Sequence, residues 1–318
     1  MALPADIVAP VQIAVRQGHR LAVRRLGHGG VPLLLIHGFP CTSRIWSHTL
    51  VPLAEAGFDV VAPDLRGYGD SDFAPDDFYD LNAFNADLIG LFNDLGWERA
   101  VVAGHDLGAM IANDMANRCP DRVDRLVILD DSMPDLAETF AAAGIPPSRP
   151  KPAVYDYHRL QGKHADSLVA QLDTPDQRKR YIGEFYGHRL WCPPDAFDED
   201  DLAFLTEPYG DAARLRAAFA DYEVVMRTRP LSAPEMLDRP VQQPALVLIG
   251  ADQVTLGDHI EERCAIAFPE AVGPFWVKDC GHFMPWEQPR TVTRAIRSFC
   301  ADLLATNSRT PRLTGSVG

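Results

Sequence analysis

The chain has 318 residues, 47% hydrophobic and 23% charged, a balance that allows one large buried core and excludes collagenous, fibrous or disordered classes. Its formal net charge of −14 argues against nucleic acid or an anionic membrane face as partner, since both are gripped by clustered Lys and Arg. No stretch approaches the ~18 apolar residues of a spanning helix, "MALPADIVAPVQIAV" lacks the layout of a signal peptide, and six scattered cysteines without CxxC spacing read as reduced thiols; a cytoplasmic protein is expected.

In chain order, "VQIAVRQ" and "HRLAVRRLG" flank a short turn near Gly18 and predict an opening hairpin. Continuous apolar runs follow: "VPLLLIHG" (31–38), "FDVVAPD" (58–64), "AVVAGHD" (100–106), "RLVILDD" (125–131), "PALVLIG" (244–250) and "PFWVKD" (274–279). Runs without alternation suit a parallel sheet buried on both faces. Helical spacing marks 43–56, 81–95, 107–118, 257–268 and 290–304. Strand–helix alternation of this kind predicts a doubly wound α/β fold with a mostly parallel sheet.

The alternation breaks between residues 132 and 243, where no core strand is found and prolines ("GIPPSRPKP", "WCPPD") and aromatics accumulate. Some 110 residues are too many for a connecting loop. The stretch 132–243 therefore reads as a helical cap inserted after the sixth strand, over a core built from 1–131 and 244–305. Residues 306–318 read as a flexible tail.

One pentapeptide carries the chemistry. "GHDLG" (104–108) places Asp106 between Gly104 and Gly108 where a strand passes into a helix. This is the G-x-nucleophile-x-G pattern, in which the turn is so tight that side chains two residues either side would clash. The plainer alternative is a Gly-bounded turn with a helix-capping Asp. Three further segments lie in matching order at strand ends: "LLLIHGFP" (33–40), "APDLRGYGDSD" (62–72) and "CGHFMPWEQP" (280–289), the last bearing His282.

With these four segments in this order the chain resembles the α/β-hydrolase superfamily, and within it the aspartate-nucleophile branch of soluble epoxide hydrolases, haloacetate dehalogenases and haloalkane dehalogenases. The resemblance runs from about residue 10 to 303. It implies that Asp106 attacks a saturated carbon to form an ester. His282 then activates the water that hydrolyses it, and the backbone N–H groups of Leu107 and Phe39 hold the tetrahedral intermediate. An acid must orient His282. Asp130 ends the strand "LVILD" and resembles the haloacetate-dehalogenase position. Asp252 follows the next strand one residue earlier than the common G-x-x-D spacing, which lands on Gln253. Asp130 is favoured, and Asp131 is a lesser rival.

Epoxide opening needs a proton donor for the emerging alkoxide. Tyr222 in "AAFADYEVV" and Tyr157 in "AVYDYHRLQ" resemble the two tyrosines that soluble epoxide hydrolases use, with Tyr155 and His158 as rivals of Tyr157. The arginines with which haloacetate enzymes grip their substrate are replaced by Leu107 and Met110. The Trp and Asn of haloalkane enzymes are replaced by Leu107 and Phe39. Leu107 also departs from the aromatic usual in soluble epoxide hydrolases. Phe39, Leu107 and Trp191, with Phe185 and Met284 nearby, are expected to form an apolar binding pocket, and His37 is grouped with them. His37 and His105 otherwise read as hydrogen-bonding neighbours of their motifs, and "DLRGYGDSD" as a turn supporting the active face. No metal and no cofactor is expected. The expected partners are a small apolar organic substrate and water, with a second copy of the chain in a homodimer as the candidate protein partner. The reading is therefore an epoxide hydrolase. A dehalogenase using the same Asp, His and Asp, or a non-catalytic or biosynthetic hydrolase-fold protein, stands as the alternative.

Overall fold

The computed structural model describes residues 9–309 apart from 17, 131–133, 135, 148–151, 189 and 255. The opening hairpin pairs β1 (Val11–Arg16) antiparallel with β2 (His19–Leu26), and Gly18 supplies the positive φ of 79° that its turn requires. Behind it run β3 (Val31–Ile36), β4 (Phe58–Pro63), β5 (Ala100–His105), β6 (Val123–Leu129), β7 (Ala245–Gly250) and β8 (Ala271–Val277). The sheet order is β1-β2-β4-β3-β5-β6-β7-β8. From β4 onward every neighbouring pair is parallel. This is the α/β-hydrolase fold. The all-apolar runs of β3, β5 and β7 are buried because helices cover both faces, as parallel strands require.

The connections are α1 (Ser47–Glu55), α2 (Leu81–Leu95), α3 (Leu107–Arg118), α10 (Ile260–Ala267), α11 (Met284–Glu287), α12 (Pro289–Phe299) and α13 (Ala301–Arg309). Helices α2 and α3 pack together and meet β1, β5 and β6, whereas α1 packs with α12 and meets β4. Between β6 and β7 the described residues hold no strand. They form α4 (Ala137–Ala142), α5 (Pro152–Gln171), α6 (Pro175–Gly187), α7 (Glu199–Thr206), α8 (Ala212–Ala218) and α9 (Ala220–Val225). Thr174 and Asp198 begin α6 and α7 with reciprocal capping boxes. No helix among the described residues is long and apolar enough to cross a membrane.

Three expectations need correction. β8 is not buried on both faces: it is the sheet's edge, with β7 on one side only, and Val272, Phe275 and Trp276 are exposed. The helix expected over 290–304 breaks at Cys300 into α12 and α13. Of the tail expected from residue 306, residues 306–309 belong instead to α13, which packs Leu303 and Leu304 onto the core; residues 310–318 lie outside the described residues.

The segment 62–72 is tied down by a buried charge network. Arg66, with a fully buried guanidinium, donates from Nε and Nη2 to Asp87 on α2 at 2.7 Å each, and from Nη1 to Asp76 and to the Phe78 carbonyl at 2.8 Å. Asp64 accepts the Ser43 N–H at 2.7 Å and the Asp70 N–H at 2.9 Å. Removing one partner of such a pair strands the other charge away from water. Arg66→Ala is expected to lower stability by about 3–5 kcal/mol, read as a drop in the urea midpoint.

Candidate active site

Chain geometry at the end of β5 explains Gly104 and Gly108. Asp106 has φ 55° and ψ −127°, a conformation that L-residues rarely adopt and that costs about 1–3 kcal/mol. A Cβ on Gly104 would lie 2.1 Å from the Gly108 carbonyl oxygen, and one on Gly108 would lie 2.3 Å from that of Ile36. A Cβ on Gly38 would sit 2.2 Å from the Asp106 carboxylate itself. Strand, turn and first loop therefore close upon one another, and the Asp106 side chain is pushed out where it remains about a quarter exposed.

Its carboxylate is held on three sides. The Phe39 N–H donates to Oδ1 at 2.8 Å, the Leu107 N–H adds a second backbone bond, and His282 Nε2 lies 3.3 Å from Oδ2. Burial opposes its charge, but the His282 bond and the His282 charge win and lower the acid to about 2. The Phe39 and Leu107 amides expected to serve an oxyanion thus already converge on this carboxyl group.

Behind it, His282 Nδ1 is 2.6 Å from Asp130 Oδ2. Asp130 follows β6, has φ 48°, and accepts the Gly250 N–H at 2.8 Å through its other oxygen. Burial raises the Asp130 carboxyl. For His282, burial works against charge, yet two carboxylates, one on each ring nitrogen, raise it to about 10. The resting site is therefore an imidazolium between two acids.

Asp252 does not join this group. It is exposed, and its carboxylate accepts the Cys280 N–H at 3.0 Å. Asp131, the lesser rival, lies outside the described residues. His37 is corrected as a substrate-facing residue. It is fully buried, donates from Nδ1 to the Gly38 carbonyl at 3.0 Å and accepts the Leu65 N–H at Nε2 at 3.0 Å, so both nitrogens serve the backbone. Met284 is likewise fully buried. His105 lies beneath the elbow with Nε2 2.7 Å from the His282 carbonyl.

From the helical insertion, α5 and α9 bring an aromatic group to the open side. The Tyr157 and Tyr222 rings are 5.6 Å apart. Tyr222 lies edge-on to Phe39 at 5.0 Å. Burial pushes both phenols above their ordinary range. Trp191 is half-buried, 5.4 Å from the His282 ring and 5.9 Å from Tyr157, while Phe185 touches Phe39 and Tyr157. Leu107 opens α3 half-buried. His158 is 2.8 Å from the Tyr157 hydroxyl. The Tyr155 side chain lies outside the described residues.

Two groups escaped the sequence reading. Glu287 accepts the N–H groups of Gly281 and Phe283, the neighbours of His282, at 2.6 and 2.7 Å, while the His282 N–H donates to the Trp191 carbonyl at 2.5 Å. Burial pushes Glu287 up to about 7. The signal available was a Glu five residues after the histidine in "GHFMPWE". Asp221, beside Tyr222, is buried; burial and the Asp106 charge push it far above the ordinary range. Two nearby acids do not both ionise. Asp106 keeps the charge because His282 and two amides favour it.

The model of the alpha/beta hydrolase family matches residues 33–295. Epoxide hydrolase A of Mycobacterium tuberculosis is 28% identical over 90% of this chain and 95% of its own. Fluoroacetate dehalogenase of a Burkholderia species is 29% identical over 87% of this chain and 89% of its own. Among solved structures, epoxide hydrolase CorEH without ligand is 27% identical, covers 92% of this chain and 99% of its own, and superposes with a TM-score of 0.77.

A raised imidazole contributes stability below its unfolded value, near 6.5, and loses it as pH rises through about 10. His282 is thus expected to remain protonated at pH 8 by NMR, with Asp130→Asn lowering the pH at which it titrates. A His282 already neutral at pH 8 in the parent protein contradicts the ion-paired resting site.

Proposed function

The chain is an enzyme of the alpha/beta hydrolase family, and on that premise we propose that it opens an apolar epoxide to a vicinal diol through an ester on Asp106. The observation that carries this reading is that the Asp106 carboxylate is bound by the Phe39 N–H while the Tyr222 ring stands 5.0 Å from the Phe39 ring with Tyr157 5.6 Å beyond it; burial favours the protonated form of both phenols. A carboxylate nucleophile requires a leaving group on saturated carbon. Two hydroxyl donors across from it suit a leaving oxygen that stays attached to the product.

In the first half-reaction an Asp106 oxygen forms a bond to one epoxide carbon as that carbon's bond to the ring oxygen breaks. The freed electron pair takes a proton from Tyr157 or Tyr222, and the His282 imidazolium restores that proton through solvent. Esterification has meanwhile removed one of the two charges that kept His282 protonated. The imidazole that remains, oriented by Asp130, is a base. In the second half-reaction it takes a proton from water as the oxygen attacks the ester carbonyl, with the Phe39 and Leu107 amides placed to stabilise the oxyanion. Collapse releases the diol, the Asp106 carboxylate and the imidazolium, so charge and protons balance.

The Burkholderia relative favours a dehalogenase as a second reading, and the same carboxylate could displace halide. Against a haloacid, positions 107 and 110 hold Leu and Met, neither of which can grip a carboxylate.

A single turnover of styrene oxide in heavy-oxygen water is expected to label the Asp106 carboxylate and leave the first diol unlabelled. Label in the diol alone overturns the ester. His282→Gln is expected to accumulate the ester, seen as added mass on peptide 101–110, while slowing steady turnover by about a thousandfold or more. Halide released from bromoalkanes with no diol from any epoxide would move the assignment to the dehalogenase.

A further inference from the structure

We propose that His158 is a positioning residue for ring opening: its Nε2–H donates to the Tyr157 hydroxyl oxygen, which leaves the Tyr157 hydrogen free for the substrate oxygen. This rests on the epoxide reading and concerns a residue that takes no part in the scheme above.

The contact is specific. Tyr157 and His158 are successive residues of α5, and successive helix positions point about 100° apart, so their side chains do not ordinarily face each other. Here they do. His158 Nε2 lies 2.8 Å from the Tyr157 oxygen, with the rings edge to face at 86° and 4.4 Å between centroids. The His158 ring also lies 5.0 Å from Tyr222, which brings all three rings together where α5 packs on α9.

A 2.8 Å contact between an imidazole nitrogen and a phenol has two protonic forms. Were Tyr157 the donor, its hydrogen would point at His158 and only lone pairs would face an oxygen gaining negative charge. With Nε2–H as donor the phenol hydrogen is free, and Nε2–H is also the more stable form of a free neutral imidazole. Burial lowers His158 to about 4, so the ring is neutral in ordinary buffers and carries one such hydrogen. As the Tyr157 proton passes to the substrate oxygen, the phenol oxygen becomes anionic and the Nε2–H bond becomes charge-assisted, hence stronger. The benefit grows with the charge, so it favours the transition state over the ground state. His158 keeps its own proton throughout.

The test is a double-mutant cycle on the single-turnover alkylation rate with styrene oxide. His158→Leu is expected to slow alkylation about ten- to a hundredfold, and His158→Gln, whose amide reaches the same point, to recover most of that. In a Tyr157→Phe background His158→Leu is expected to cost little more. Equal losses in both backgrounds, or a loss shared by ester hydrolysis and accompanied by a lower Tm, overturn the proposal. Independently of activity, ¹⁵N NMR of the parent protein is expected to show His158 as the Nε2–H tautomer at neutral pH; the Nδ1–H tautomer overturns it. A parent that makes no diol removes the epoxide reading itself, a result distinct from an active parent indifferent to position 158.

Discussion

One imidazole between two carboxylates organises the rest of this molecule. His282 has an acid on each ring nitrogen, Asp106 at 3.3 Å and Asp130 at 2.6 Å, and three separate strands must end at the same place to put them there. β5 delivers Asp106, β6 delivers Asp130, and the segment after β8 delivers His282. In isolation none of these charges is affordable in a buried site. Together each stabilises the others, and the proposed ester chemistry follows from dismantling that balance: esterify one acid and the imidazole becomes a base.

Holding three strand ends in register needs a backbone that cannot wander. Gly104, Gly108 and Gly38 let elbow and first loop approach to distances that any Cβ would forbid. On the histidine side, consecutive amides are tied in turn, those of Gly281 and Phe283 by Glu287 and that of His282 by the Trp191 carbonyl. Trp191 belongs to the helical insertion, so insertion and core share the loop that carries the base. His105 closes the arrangement from beneath through the His282 carbonyl. Each of these bonds narrows the geometry, because losing its partner would leave a buried polar group unbonded; His105 Nδ1 alone of this set has no hydrogen-bond partner among the described residues.

The insertion contributes the opposite wall. Tyr157, Tyr222, Phe185 and Trp191 meet edge to face above Phe39 and His282, an arrangement that aromatic quadrupoles favour. The acids on this side are treated differently from those below. Asp221 is driven toward its neutral form, so the single reactive charge stays with Asp106.

By itself the chain determined the strand order of residue types, the long helical interruption, and an Asp at a Gly-bounded strand-to-helix turn. These are local patterns, set by apolar periodicity and by the steric limits of a few glycines. What only the tertiary structure decided was which residues meet. Asp130 and Asp252 both follow strands, yet β6 lies beside the elbow strand and β7 one place further out, so Asp130 reaches the imidazole and Asp252 serves the Cys280 amide. The sequence reading grouped His37 with the pocket residues, but its ring is turned inward to satisfy two backbone groups. β8 read as buried because its residues are apolar, and only the sheet order makes it an edge. Glu287 and His158 act on partners one to six residues away, and even there the contact depends on where a ring or carboxylate points. Spacing along a chain carries local geometry; a contact also needs the direction of each side chain, which packing from distant segments imposes.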